Sequence, residues 1–388
     1  MFKKIAKLGL LPLVLMAIGL GIGAGFVFPD WLTRIFLTFN GLFGQFLGFV
    51  VPLLILGLIA PGIAELGKKA GKLLLITVML AYGFTVLAGL FTYLTAVLAY
   101  PVLLDKKASL AAFAAPQELS AYFTLPITPM MDVTTALVFA FMLGLTMAFL
   151  NTKNLKAVMC DFREVINIVI MRVIIPLLPL YIFGIFLNMT VTGQVAAVLA
   201  VFAKIIVFIF LITLAMLLIQ FVLAGGVSHQ NPFKMIQKML PAYFTALGTS
   251  SSAATIPVTY KQVQALGVKE EIAGFTVPLC ANIHMTGSAI KITACAMAIV
   301  LLTGGVVDFW QFFGFICMLA VSIVAGPGVP GGAIMASLGV LQKMLGFNEQ
   351  MLGLMIALYI AMDAFGTACN VTGDGAISVI INQIAKKK

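Results

Sequence analysis

Two carboxylates lie deep within the last apolar run of the chain, where charged side chains are unusual. Asp363 and Asp374 are separated by about three helical turns, so a helix would carry them on one face. A charge at that depth costs at least a few kcal/mol unless it is paired or binds a ligand. The two residues are therefore predicted to bind a cation or an ammonium group. An ion pair with Lys291 is the purely structural alternative.

Hydroxyl groups are concentrated in a second place, residues 249–257, which hold five Ser or Thr side chains and a proline. Ser250, Ser251 and Ser252 could cap helix ends, as serine commonly does. Alternatively, they could face an anionic group beside the positive end of a half-helix.

His284 and Lys291 are the remaining residues with a chemical signal. His284 lies in a polar interruption at 282–287, where it could be a hydrogen-bonded neutral histidine or a proton carrier. Lys291 is two turns further on, which predicts the same helix face. Lys291 could pair with Asp363 or Asp374, replace a metal cation, or hold an anionic group, and the sequence does not choose among these roles.

The composition indicates which kind of element must position these residues. The 388 residues are 62% hydrophobic and only 9% charged, which excludes an ordinary soluble domain and indicates a polytopic membrane protein. The net charge of +10 does not indicate nucleic-acid binding, because Lys and Arg are scattered singly between apolar runs. No nucleophile–base pair, phosphate-binding loop or dinucleotide turn occurs, so an enzyme is not expected.

The apolar runs predict eight transmembrane helices and two re-entrant helical hairpins. The predicted spans are 8–28, 39–65, 72–104, 133–150, 161–189, 191–223, 272–302 and 351–384, with hairpins at 233–264 and 309–345. Polar or Gly/Pro-rich stretches interrupt the last four segments at 249–257, 282–287, 326–332 and 370–375. Sixteen of the 23 Lys and Arg residues then lie inside, which predicts that both termini are cytoplasmic.

Five motifs in order make the whole chain resemble the dicarboxylate/amino acid:cation symporter family, the glutamate-transporter-like group. They are Gly41 to Gly62, Ala246 to Thr259, Phe275 to Ser288, Gly328 to Ala333 and Asp363 to Asp374. The resemblance implies an all-α elevator fold with inverted repeats, assembled as a homotrimer.

The same resemblance implies a division of the chain. Residues 1–71 and 133–190 would be mainly scaffold and trimer contact. Residues 72–132 would hold the third span, on the transport-domain side, with an extracellular loop. Residues 191–388 would form the rest of the transport domain.

A set of substrate contacts follows from the resemblance. Asp363 and Thr367 would hold an amino group, and Asn370 an α-carboxylate. Further contacts would come from Ser250, Ser251, Ser252, Ser288, Val329, Gly331 and Gly366. Gly366 stands where relatives that carry acidic substrates have an arginine, so a neutral substrate is expected.

Sodium is the ion that the resemblance implies, with one or two bound and no organic cofactor. Asp374 would bind it together with the backbone carbonyls of Cys280, His284 and Asn370. Thr286 replaces the aspartate of a further sodium site.

The resulting expectation is a symporter in a bacterial-type plasma membrane that imports a small neutral amino acid with Na⁺, H⁺ or both. Its partners would be this substrate or an organic anion, and membrane lipid, with no nucleic acid. One alternative is an acidic amino acid or small dicarboxylate held by Lys291. Another, of a different class, is an uncoupled anion-conducting pore.

Overall fold

The computed structural model describes residues 10–66, 72–104, 119–150, 152–324 and 331–386, and the regular secondary structure within these ranges is helical. The prediction of an all-α protein is thereby confirmed for the described residues. The tip of the second hairpin at 325–330, which includes Val329, lies outside them, as does the loop at 105–118.

The first part of the chain consists of seven helices among the described residues. They are α1 (Leu10–Gly25), α2 (Asp30–Leu66), α3 (Lys72–Leu103), α4 (Val133–Leu150), α5 (Lys153–Val169), α6 (Ile175–Val191) and α7 (Val195–Ser228). Helix α2 begins nine residues before the predicted span, because Asp30 follows a proline and places a negative charge in the first turn. A π-helical segment, Ile170–Ile174, joins α5 and α6 into one rod that is longer than the predicted span 161–189.

The second part alternates hairpins and broken helices, as predicted. Its helices are α8 (Pro232–Thr249), α9 (Ser252–Ala265), α10 (Glu270–Ile283), α11 (Thr286–Leu302), α12 (Phe309–Val324), α13 (Gly332–Leu345), α14 (Glu349–Ala361) and α15 (Asp363–Lys386). The first hairpin turns at Ser250 and Ser251. Ser250 ends α8 in the left-handed conformation at φ 49°, and the Ser251 side chain accepts a hydrogen bond from the Ala254 N–H at the start of α9.

The predicted interruption at 370–375 is wrong. These residues are helical within α15, and the break lies earlier, at Met362. The glycines serve close packing instead of unwinding: a Cβ on Gly373 would meet Gln220 and His284, and one on Gly375 would meet Met239.

Membrane-spanning capacity is concentrated in six helical segments of the described chain. They are Asp30–Pro61, Leu73–Leu103, Lys153–Val191, Val198–Ser228, Glu270–Leu302 and Asp363–Lys386, and the count of eight spans stays a prediction. The apolar windows of Glu270–Leu302 and Asp363–Lys386 are 94% and 89% buried, against 33% for Leu73–Leu103. Most of these two segments therefore lies in the interior of the protein, although Asn282 on α10 is exposed.

Helix α15 occupies the centre of the second part, where it packs against α7, α8, α9, α10 and α11. In the first part, α2 packs against α4, α5 and α6, and α1 packs against α6. The charged residues singled out from the sequence thus lie between α15 and the α10–α11 pair.

Candidate functional site

Asp363 is the first residue of α15 and forms an ion pair with Lys291 from α11. The Lys291 Nζ lies 2.9 Å from Asp363 Oδ1, and the Lys291 side chain is fully buried. The other carboxylate oxygen, Oδ2, accepts a 2.8 Å hydrogen bond from the Gly331 N–H at the start of α13. Both buried charges are therefore compensated, which is what makes their burial tolerable.

Tyr359 and Gly366 shape the space around the Lys291 side chain. The Lys291 Nζ lies 3.7 Å from the centre of the Tyr359 ring, a cation–π arrangement. A Cβ on Gly366 would collide with the Cε and Nζ atoms of Lys291. Gly366 thus leaves room for the side chain of a lysine that comes from another helix.

A cavity of about 300 Å³ adjoins Asp363 and the first hairpin tip. It is lined by Leu10, Leu11, Pro12, Leu247, Gly248, Thr249, Ser250, Ile360 and Asp363. Asp363 is the one ionisable side chain in this lining, and the other polar groups are hydroxyls and hairpin backbone. A carboxylate at one side and hydroxyls at another suit a small ligand that carries both an ammonium and an acceptor group.

Asn370 holds the break between α10 and α11 in place. Its Oδ1 accepts a 2.7 Å hydrogen bond from the Gly287 N–H, and its Nδ2 lies 3.4 Å from Ser288 Oγ. Ser288 Oγ is also 3.0 Å from the Tyr359 hydroxyl, and Thr367 Oγ1 donates to the backbone oxygen of Asp363. Three predicted substrate contacts, Ser288, Thr367 and Asn370, are thus engaged in hydrogen bonds within the protein.

Asp374 is paired with His284 rather than with Lys291. The His284 Nδ1 lies 2.9 Å from Asp374 Oδ1 and 3.1 Å from the backbone oxygen of Asn370. Both are acceptors, so Nδ1 carries a hydrogen. On the other side of the ring, Nε2 contacts Thr286 Oγ1 and, at 3.0 Å, the Gln220 Nε2. The ring is fully buried.

The expectation that His284 and Lys291 share one helix face is wrong. His284 ends α10, Lys291 belongs to α11, and the break at His284 and Met285 separates them. As a result, each basic residue meets a different carboxylate.

The other predicted residues fall in three places. Ser250 lines the cavity, whereas Ser251 caps α9 and Ser252 is buried in its first turn. Cys280 is buried, and its backbone oxygen accepts the His284 N–H at 2.9 Å. Val329 lies outside the described residues.

Sequence reasoning missed two participants, Gln220 and Tyr359. Gln220 is an isolated amide within the apolar helix α7, and its burial without a partner would be costly, which was a usable signal. Tyr359 precedes Asp363 by four residues but lies beyond the break at Met362, so helical spacing gave no signal for its contact with Lys291.

Comparison with known proteins gives one consistent answer. Residues 10–384 match the model of the sodium:dicarboxylate symporter family. The chain is 25% identical to the serine/threonine transporter of Acinetobacter baylyi, over the whole of both chains. It is 24% identical to the serine/threonine transporter of Enterococcus faecalis, over all of this chain and 94% of that protein. Mouse excitatory amino acid transporter 4 is 30% identical over 45% of this chain and 33% of its own length. The chain therefore belongs to the sodium:dicarboxylate symporter family, and it is a membrane transporter, not an enzyme.

Proposed function

We propose that this transporter imports a small neutral amino acid of the size of serine or threonine, together with a cation. The observation that carries the proposal is the cavity of about 300 Å³ between the first hairpin tip and Asp363. The named substrates of the relatives from Acinetobacter baylyi and Enterococcus faecalis agree with this size and charge.

Charge balance favours a neutral substrate. Asp363 and Lys291 together carry no net charge, so a zwitterionic amino acid would leave the site neutral. An ionised carboxylate has about four acceptor positions, and among the described residues Lys291, Gly331 and the Tyr359 hydroxyl use at most three of them. Room is therefore left for a substrate ammonium group on Asp363, while the hairpin hydroxyls can donate to the substrate carboxylate.

An acidic substrate is less favoured. Its second carboxylate would need an uncommitted cation, and Lys291 is already paired with Asp363 and covered by Tyr359. Gly366 offers no guanidinium in its place.

The remaining features of the proposal follow the family. Residues 72–132 and 191–388 would move as a transport domain against a scaffold of residues 1–71 and 133–190, by an elevator motion within a homotrimer. Both termini would face the cytoplasm of a bacterial cell.

The test is uptake of labelled amino acids by purified protein in liposomes, with Na⁺ and H⁺ gradients imposed separately. Serine, threonine and alanine should accumulate, and aspartate should not compete with them. Asp363→Asn should abolish uptake, whereas the matched control Asp161→Asn, on an exposed side chain, should not change it. Uptake that survives in Asp363→Asn would refute the assignment of the ammonium to Asp363. Ion currents without substrate uptake would favour the anion-conducting pore.

A further inference from the structure

We propose that the His284 imidazole permanently occupies the cation position between Asp374 and Asn370, so that no sodium ion binds there in this protein. Sodium is the cargo ion that the family implies, and the oxygen of Asp374 is the natural ligand for it in this part of the structure. The residues present do not fit this role, for reasons of contact, packing and charge.

The oxygens that would bind sodium are already used. Asp374 Oδ1 and the backbone oxygen of Asn370 both face the N–H of one ring nitrogen, at 2.9 and 3.1 Å. The backbone oxygen of Cys280 accepts a hydrogen bond from the backbone N–H of His284, not from the ring. Hard cations such as Na⁺ need several oxygens directed at one point. Here, the point at which two of these oxygens converge holds a hydrogen-bond donor.

Packing fixes the ring in this position. Its far side is held by contacts with Thr286 Oγ1 and Gln220 Nε2, and Gln220 also donates to Thr286 at 3.1 Å. A Cβ on Gly373 would lie 2.5 Å from the ring Cε1, so the helix backbone of α15 closes on the ring edge. A sodium ion could reach the point between Asp374 Oδ1 and the Asn370 backbone oxygen only if the imidazole left it.

The same contacts explain the sequence differences from the family pattern. The side chain at 284 is a histidine, and Thr286 replaces a carboxylate that would otherwise face the ring. A threonine hydroxyl can share a hydrogen bond with the ring nitrogen and with Gln220 at once. The substitutions at 284 and 286 therefore belong to one arrangement, in which a side-chain donor satisfies Asp374 in place of an ion.

The test counts bound sodium ions by equilibrium binding of ²²Na⁺ to the full-length protein in lipid nanodiscs. No amino acid substrate is present, so the result does not depend on the proposed substrate. The wild type is compared with Asp374→Asn, with His284→Ala, and with the double variant His284→Ala/Asp374→Asn. His284→Asn is a second way to remove the ring, and His229→Asn, at an exposed helix end, is its matched control. Size-exclusion profiles and thermal unfolding identify the variants that remain folded.

The proposal expects the wild type and Asp374→Asn to bind the same number of ions per protomer. His284→Ala should bind one ion more, because the two oxygens that face the ring, Asp374 Oδ1 and the backbone oxygen of Asn370, are released, and the double variant should lose that ion again. His229→Asn should bind as the wild type does. Loss of one ion from the wild type on Asp374→Asn would overturn the proposal. Failure of folded His284→Ala and His284→Asn to gain an ion would also overturn it, since the ring would then not be what excludes sodium.

Discussion

Replacing Lys291 with methionine tests how strongly the buried ion pair stabilises the empty transporter. Methionine keeps the length and apolar stem of the side chain but removes the ammonium group that neutralises Asp363, whose Oδ2 keeps the hydrogen bond from the Gly331 N–H. Breaking a buried pair by removing one partner costs about 3–5 kcal/mol. Loss of the cation–π contact with Tyr359 adds up to about 2 kcal/mol. We expect a fall in Tm on the order of 10 °C.

The assay is thermal unfolding of the purified protein in nanodiscs, with Lys343→Met as the matched control. Lys343 also pairs with an aspartate, Asp132, but at 3.4 Å and with both side chains 53% exposed. Exposed pairs contribute about 0–1 kcal/mol, so the control should unfold close to the wild type. A saturating neutral amino acid should raise the Tm of Lys291→Met by more than that of the wild type. The reason is that the substrate ammonium then supplies the missing counter-charge.

A double-mutant cycle separates the ion pair from simple loss of packing. Asp363→Asn in the Lys291→Met background removes the second charge, and part of the lost Tm should return. A stability of Lys291→Met within about 1 kcal/mol of that of Lys343→Met would refute the strong stabilisation by the ion pair. A lower Tm for the double variant than for Lys291→Met would refute it as well.

Three further substitutions test packing and capping around the site. Gly366→Ala should force the Lys291 amino group away from Asp363 and lower the Tm. Combined with Lys291→Met, it should lower the Tm little further, and additive losses of Tm would contradict a shared mechanism. Gly287→Ala places a Cβ against the backbone of Gly366, which cannot rotate away, so we expect a loss of stability of about 1–3 kcal/mol or more in thermal unfolding. An unchanged Tm would disprove the close crossing of α11 and α15. Asn231→Ala removes the side-chain cap of α8 and should cost about 1 kcal/mol while uptake per folded protein stays at the wild-type level.

The sequence predicted the hairpins and the first broken helix because their interruptions have a chemical cause. Residues 249–257 combine hydroxyls with a proline, and the chain turns there. The same reasoning failed at 370–375, where asparagine and two glycines resemble an unwound segment. The polar side chain of Asn370 bonds to another helix, and Gly373 allows close approach, so neither residue needs a broken backbone. Local composition cannot distinguish a glycine that unwinds a helix from one that lets a neighbour approach.

The pairing of charges could not be predicted for a different reason. The choice between Asp363 and Asp374 as partner of Lys291 depends on the axial position of α11 relative to α15. Residue spacing within one helix does not contain that information. The break after His284 then decides the rest. It separates His284 from the helix of Lys291, so that the two basic residues reach carboxylates three turns apart on α15.

The Lys291–Asp363 pair and the His284–Asp374 pair are nevertheless not independent structures. They are joined through Asn370, whose backbone oxygen faces His284 and whose side chain reaches Gly287 and Ser288. Consecutive contacts run from one carboxylate to the other through Asp374, His284, Asn370, Ser288, Tyr359, Lys291 and Asp363. Every member is buried, and Asp363 alone among them lines the cavity, so a group that loses its neighbour deeper in the network is left without a polar partner. The carboxylate beside His284 and the carboxylate beside the cavity are therefore joined by one polar network. Gly366, which leaves room for Lys291, and Thr286, which contacts the His284 ring, fit into the same network.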